Sequence, residues 1–393
     1  MITPTFLDWN MRNKRIFLRA DLNVPLLSDG TIVSDFRLQA ILPTIDYIIN
    51  NNGAVVLATH MGRPKNKEPH LSTKNLLPWF QKRGYSIEFV EDIITIASTP
   101  LLPRHIVLME NLRFFSGEQN ADLLFAKQLA RCAHYYINDA FGTIHLYDCS
   151  TAVLPFEFPE HRRSIGFLVA KELHALESLK RNPSHPFIAI LGGSKMKDKI
   201  PLIRQLLPYI DTIFIYPALC FTFLKALQIP VGKSLVEDDM IEHCKALLRD
   251  AENHQVRVVF PQDYQISYNS MEGPFILWPY DTVPENGIGI AIGPQSIEQC
   301  AQEIKKAQTI FLNCAMGFPE KPETRISTKE IIGCMAKSSA MTVIAGGDSV
   351  DCALRTPGYS AISHLSTGGG AALAYLSGTS LPGLIPFEEQ IVY

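Results

Sequence analysis

Short apolar runs rich in β-branched residues recur along this chain, and each is followed by a segment with helical periodicity. The runs cover 15–19, 54–59, 106–110, 135–138, 187–191, 212–216, 256–260, 309–313 and 341–345. Amphipathic segments at 123–132, 200–207, 238–248 and 297–307 lie between them. Parallel strands need a long crossover, usually a helix, so this alternation dictates an α/β fold of parallel sheets covered by helices. Nine or more strands fit two sheets better than one, and about 150 residues per domain divides the 393-residue chain in the same way. The pattern predicts two α/β domains of similar size. Pro155, Pro159 and the basic run 161–163 close the first half. A helix over 171–179 follows, stopped at Asn182-Pro183, and reads as a rigid connector.

With 47% hydrophobic and 19% charged residues, the chain can bury a core for both domains. Lys+Arg 36 against Asp+Glu 39 gives a net charge of −3, which argues against a broad basic surface for nucleic acid or anionic lipid. Residues 358–387 lack Asp, Glu, Lys and Arg and are numerous enough to span a membrane. Their Gly, Ser, Thr and Pro content reads instead as a strand, a glycine loop and a buried helix. Residues 1–10 carry an acid and no basic-then-apolar run, so no signal peptide is expected there. The eight cysteines form no C-x-x-C pair and read as reduced thiols of a cytoplasmic protein. Neither a nucleic-acid nor a membrane partner is expected.

In open α/β sheets, ligands bind beyond the carboxyl ends of the strands. The first strand is followed by Asp21, Asn23 and, further on, Arg37. The second is followed by His60-Met61-Gly62-Arg63-Pro64-Lys65, and the third by Asn111-Leu112-Arg113. Three arginines at successive strand ends predict a site for phosphate or carboxylate oxygens. The second half is punctuated by Gly192-Gly193-Ser194-Lys195 with Lys199 one turn on, by Ala345-Gly346-Gly347-Asp348-Ser349, and by Ser366-Thr367-Gly368-Gly369-Gly370. Such glycine loops before helices let backbone N–H groups approach phosphates. The lysines add positive charge, and Asp348 suits Mg²⁺. A nucleotide site is expected there. Gly232-Lys233-Ser234 lacks the first glycine of a Walker loop, where Leu227 stands, and Gly287-Ile288-Gly289 lacks the third dinucleotide glycine, where Ile292 stands.

In order along the chain, RADLNVP at 19–25, HMGRPK at 60–65, ENLRF at 110–114, NDAFGT at 138–143, GGSKMKDK at 192–199, GGDS at 346–349 and STGGGA at 366–371 resemble the phosphoglycerate kinase family. The resemblance covers essentially the whole chain. It implies two Rossmann-like domains with parallel sheets, joined by a connecting helix and hinge. A substrate domain would occupy 1–166, with 380–393 packing back on it. The connecting helix and hinge would occupy 167–186, and a nucleotide-binding domain 187–379. The implied activity is reversible phosphoryl transfer between 1,3-bisphosphoglycerate and ADP, giving 3-phosphoglycerate and ATP. Mg²⁺ would assist, in a cytoplasmic monomer.

Carried over by resemblance, Asp21, Leu22, Asn23, Arg37, His60, Met61, Gly62, Arg63 and Arg113 stand at substrate positions. Arg37 would hold the reacting carboxylate, and Arg63 and Arg113 the 3-phosphate. Lys195 would follow the phosphoryl group, with Gly368 and Gly369 offering it N–H groups. Lys199 would hold nucleotide phosphate beside Gly346, Gly347 and Ser349. Asp348 would bind Mg²⁺, and Asn313 and Glu320 would border the ribose and phosphates. The residue types agree with this chemistry. A carboxylate nucleophile is ionised at neutral pH and needs no general base, so catalysis is positioning plus charge stabilisation.

The chain also departs from the family pattern. Leu146 replaces an arginine at the substrate phosphate, and Asp148 replaces a histidine. Arg162 and Arg163, in the next segment, are the candidates to supply the missing charge. Tyr216-Pro217 stands where the family has two glycines at the adenine wall, and is expected to narrow the base slot. These departures leave two alternatives open, a paralogue that binds nucleotide or phosphate with impaired or no turnover, and an α/β kinase acting on a different acyl phosphate.

Overall fold

The computed structural model describes residues 4–99, 102–268, 270–318 and 321–391. All nine expected runs form strands, and they fall into two six-stranded parallel sheets. The chain divides into two units, one running to His174 and resuming at Ser380, the other Ala175–Thr379.

In the first unit the strands are β1 Arg15–Ala20, β2 Ala54–Ala58, β3 Ile87–Val90, β4 Ile106–Met109, β5 Tyr135–Asp139 and β6 Arg163–Ile165, in the order β3-β4-β2-β1-β5-β6. Every pairing is parallel. The central strands are buried along their length, as expected for a sheet covered on both faces. The three-residue β6 lies at an edge. Residues from Ser380 onward pack on this unit. Asn138 Nδ2 donates to Gly383 O at 3.1 Å, and the Phe387 ring stacks on Tyr136 at 6.2 Å.

In the second unit the parallel sheet is built from β7 Phe187–Gly193, β8 Thr212–Ala218, β9 Arg257–Val259, β13 Thr309–Asn313, β14 Met341–Ile344 and β15 His364–Leu365, in the order β15-β14-β13-β7-β8-β9. Between β9 and β13 the chain forms a sheet that the alternation did not announce. Its strands are β10 Tyr264–Ser267, β11 Ile276–Trp278 and β12 Ile288–Ile292, paired antiparallel in the order β11-β10-β12. The uncharged tract yields β15 and the helix Gly369–Leu376. Among the described residues, no helix is long and apolar enough to cross a membrane.

The connecting helix begins earlier than its periodicity indicated and covers Phe167–Glu177. Its start is fixed by a buried carboxylate from β5. Asp139 Oδ1 accepts the Val169 N–H at 2.9 Å, and its other oxygen accepts the Thr44 hydroxyl. A Cβ on Gly166 would lie 2.2 Å from Asp139 Cγ, so the close approach requires glycine. Burial raises the Asp139 carboxyl to about 7.

Candidate functional site

Parallel register sets the carboxyl ends of β1, β2, β4 and β5 side by side. Arg19 pairs with Ala58, Leu57 with Leu108, and Ala20 with Asp139. The segments after these strands therefore meet at one edge, where hydrogen bonds link most of the expected substrate residues. Arg37 Nη1 lies 3.0 Å from Asp21 Oδ2 and donates to Asn23 O at 3.0 Å. Asn23 Oδ1 accepts the Gly62 N–H at 2.9 Å, and Gly62 O accepts from Arg113 Nη1 at 2.6 Å. Asn111, absent from the expected set, bonds Met61 N–H and O through its side chain at 3.1 and 2.8 Å.

Gly62 has φ +61°, and a Cβ there would meet Leu71 at 2.8 Å. Leu22 and Met61 have buried side chains, so only their backbones are available to a ligand. Arg63 is exposed and makes no hydrogen bond or ion pair among the described residues.

Electrostatics sort these groups. Burial would raise the Asp21 carboxyl, but Arg37 above all, then His60 and Arg19, holds it below its usual value. Burial drives His60 down to about 3; Asp21 opposes this, while Arg19, Arg113 and Arg37 add to it. His60 is therefore a neutral imidazole, and its buried Nδ1 has no hydrogen-bond partner. Arg19, within the first motif, is fully buried against Ser150 and Glu118 and supports the edge from below.

Asp148 lies 3.8 Å from Arg113, so a carboxylate faces an expected phosphate arginine. Arg163 cannot replace the missing charge. It donates to Pro386 O at 3.0 Å and Phe158 O at 3.3 Å, and its guanidinium sits 5.1 Å from the Phe156 ring. Arg162 is exposed near His134, at the opposite ends of the strands.

In the second unit, the loops after β7, β13 and β14 and the helix start at Gly369 line one cleft of about 640 Å³. Gly192, Gly193, Lys195, Lys199, Asn313, Gly346, Gly347, Asp348, Ser349 and Gly369 all reach it. Gly346 has φ +104°, a Cβ there would meet Asn313 Nδ2 at 2.8 Å, and Gly369 packs against it. Asn313 Nδ2 is held by Ala345 O at 2.7 Å, leaving a buried Oδ1 without a partner.

Lys195 is exposed at the start of the helix Met196–Leu206. Lys199 is buried, and burial lowers its ammonium to about 8, with Cys314 and Asp198 opposing. Asp348 is exposed in the first turn of the helix Gly347–Leu354. The Gly368 N–H already donates to Ser366 Oγ at 3.3 Å, so Gly369 and Gly370 carry the open amides of that loop. Glu320 lies outside the described residues.

One expectation is corrected. Tyr216 does not face the cleft. Its side chain is fully buried in the core, where its hydroxyl donates to Ser296 O at 3.4 Å. Only Pro217 of the pair lines the cleft. The sequence reading missed the apolar wall, formed by Leu235, Met271, Ile288, Ile290 and Phe318, and also the Cys314 thiol. Much of that wall comes from the antiparallel sheet. Burial pushes Cys314 up to about 12, so it is a thiol rather than a thiolate.

A family model described as phosphoglycerate kinase matches residues 6–379. The chain is 37% identical to the phosphoglycerate kinase of Finegoldia magna over 399 residues, covering 99% of this chain and 100% of that one. It is 37% identical to the Aquifex aeolicus enzyme of the same name over 98% of both chains. Among solved structures it is similar to phosphoglycerate kinase from Coxiella burnetii, with TM-score 0.86, 29% identity and 98% and 99% of the two chains covered. It is also similar to that from Pyrococcus horikoshii OT3, with TM-score 0.85, 28% identity and 98% of both chains covered.

Proposed function

The chain belongs to the phosphoglycerate kinase family, and from that premise we propose which of its residues carry the reaction. It is an ATP-dependent phosphotransferase of glycolysis that passes a phosphoryl group between 1,3-bisphosphoglycerate and ADP, giving 3-phosphoglycerate and ATP. The unit that includes Ser380 onward takes the phosphoglycerate, and Ala175–Thr379 takes the nucleotide. The observation that supports this most is the hydrogen-bonded network running from Asp21 and Arg37 through Asn23 and Gly62 to Arg113.

Within that network Asp21 orients the Arg37 guanidinium, which pairs with the reacting carboxylate. Arg113, with the exposed Arg63, takes the 3-phosphate. His60, being neutral, adds a hydrogen bond without charge. Leu22, Met61 and Gly62 contribute backbone. In the cleft, Lys199 holds nucleotide phosphate, and Lys195, exposed at a helix start, follows the transferring group. The Gly369 and Gly370 N–H groups stabilise that group's charge. Gly346, Gly347 and Ser349 shape the phosphate loop. Asn313 Oδ1 borders the ribose, and Glu320 joins it by resemblance.

Asp348 fits Mg²⁺, because its exposed carboxylate has no ion pair among the described residues and Mg²⁺ is commonly held by one or two carboxylates plus substrate phosphates. When bound, the ion neutralises nucleotide phosphate charge. A cytoplasmic monomer is the setting we assign. The eight free thiols support a reducing compartment.

The binding-only alternative is not favoured. The altered Asp148 stands beside Arg113, at the 3-phosphate end, while Arg37, Lys195, Lys199 and Asp348 are all present. Steady-state kinetics of substituted chains test the division of labour. Arg37→Ala should raise the KM for 3-phosphoglycerate and leave that for MgATP nearly unchanged, with Lys199→Ala doing the reverse. A uniform effect on both constants would refute the assignment.

A further inference from the structure

We propose that Asp148 makes the 3-phosphate pocket select a singly protonated phosphate, with one proton held between its carboxylate and a phosphate oxygen. This rests on the assignment of Arg113 to the 3-phosphate.

The Arg113 and Asp148 side chains are only 7% and 9% exposed, and they lie 3.8 Å apart, too far for a hydrogen bond. Arg113 spends Nη1 on Gly62 O, while its buried Nε has no acceptor. Asp148 Oδ2 is buried without a donor. An incomplete donor set and an incomplete acceptor therefore stand side by side. Their complement is a ligand that accepts at one oxygen and donates from another, which describes a phosphate carrying P–O⁻ and P–OH. A dianion would set its charge against the carboxylate in a place with little water. Sharing one proton removes that repulsion, and the proton then belongs to the pair. A phosphate monoester can supply it, since its second ionisation falls near pH 6. Sulfate cannot, having no proton to donate near neutrality. Leu146, two residues away, adds no compensating charge.

Charged and titratable groups face Asp148 from three segments. Arg113 faces it from the turn Leu112–Phe114, Glu118 from the helix Ser116–Gln119, and His145 and Cys149 from its own segment. Arg19, Asp21 and His60 lie next beyond. Burial lowers both histidines, His60 to about 3, and raises the Cys149 thiol. Burial raises the Glu118 carboxyl, opposed by Arg19 and by hydrogen bonds from Ser150 to both oxygens, and a pH slope arising from Glu118 would persist in Asp148→Asn.

Calorimetric titration of the full chain with 3-phosphoglycerate, without nucleotide, tests the proposal. Affinity should fall about fiftyfold from pH 6 to pH 8, the loss expected when a group half-protonated at pH 6 must bind protonated. At pH 6, inorganic phosphate should displace the ligand at least tenfold better than sulfate. Asp148→Asn offers a donor in place of the acceptor and should abolish both the slope and the discrimination. Affinity that does not change with pH, or sulfate competing as well as phosphate, would overturn the proposal alone. So would a slope retained by Asp148→Asn. If that variant proves unfolded by circular dichroism, the two measurements on the parent decide. A parent that binds MgADP but no 3-phosphoglycerate at either pH would instead overturn the assignment of Arg113, and this proposal with it.

Discussion

Replacing Lys199 with Met should stabilise the empty protein and weaken nucleotide binding. Lys199 is 8% exposed and has no ion pair among the described residues. Burial lowers its pKa from 10.5 to about 8. A drop of that size corresponds to about 3 kcal/mol held against the charged form. The folded-state value lies below the unfolded one, so between pH 8 and 10.5 the unfolded chain binds more protons and parent stability rises with pH. Below pH 8 the penalty is complete; above 10.5 the amine is neutral in both states and the penalty is gone.

Met keeps most of the side-chain volume without the charge. Its gain should therefore be about 3 kcal/mol at pH 7, roughly 6–12 °C in Tm for a unit this size, and close to zero above pH 10.5. Urea unfolding at both pH values measures it. MgADP affinity should fall at least about tenfold, from the loss of one charge-assisted hydrogen bond. A variant no more stable than the parent at pH 7, or a gain that persists at high pH, would refute the reasoning from burial. Unchanged MgADP affinity would remove Lys199 from the phosphate site.

Asp348→Ala should lower turnover by orders of magnitude even at saturating Mg²⁺, measured by following ATP consumption with 3-phosphoglycerate. Near-parental turnover would remove this carboxylate from the metal site. Leu146→Arg should lower the KM for 3-phosphoglycerate about tenfold, the low end for a charged hydrogen bond, because nearby Asp148 competes for the new guanidinium. The KM for MgATP should stay put, and a change in both would point to a general disturbance. Tyr216→Ala should cost about 3–5 kcal/mol in urea unfolding, as for a large buried aromatic, while Pro217→Gly alone should tighten MgADP binding. A harmless Tyr216→Ala would mean that the ring lines the cleft after all.

The legible parts of the site were those carried by contiguous segments. Gly192 to Lys195 and Gly346 to Ser349 announce phosphate loops because glycine, a helix start and a charge fall within a few residues. The central strands were legible because burial on both faces makes them unbroken apolar runs. The same property hid the direction of Tyr216. A strand without polar alternation gives no sign of which face is the cleft. The sheet of β10 to β12 was missed because no helix separates its strands, so the strand–helix alternation does not mark them, and because β11 is only three residues long with prolines nearby at 274 and 279. With it went the apolar wall at Met271, Ile288 and Ile290. The pairing of Arg113 with Asp148 joins residues far apart in sequence, so only the fold could bring it into view.

The central claim is that this chain transfers phosphoryl groups between ATP and 3-phosphoglycerate. Incubating the protein with MgATP and 3-phosphoglycerate, with a dehydrogenase reducing the acyl phosphate at the expense of NADH, measures that directly. The expected result is NADH oxidation that requires both substrates and is strongly reduced in Arg37→Ala and Asp348→Ala. No oxidation above background, from chain shown to be folded and to bind MgADP, would contradict it.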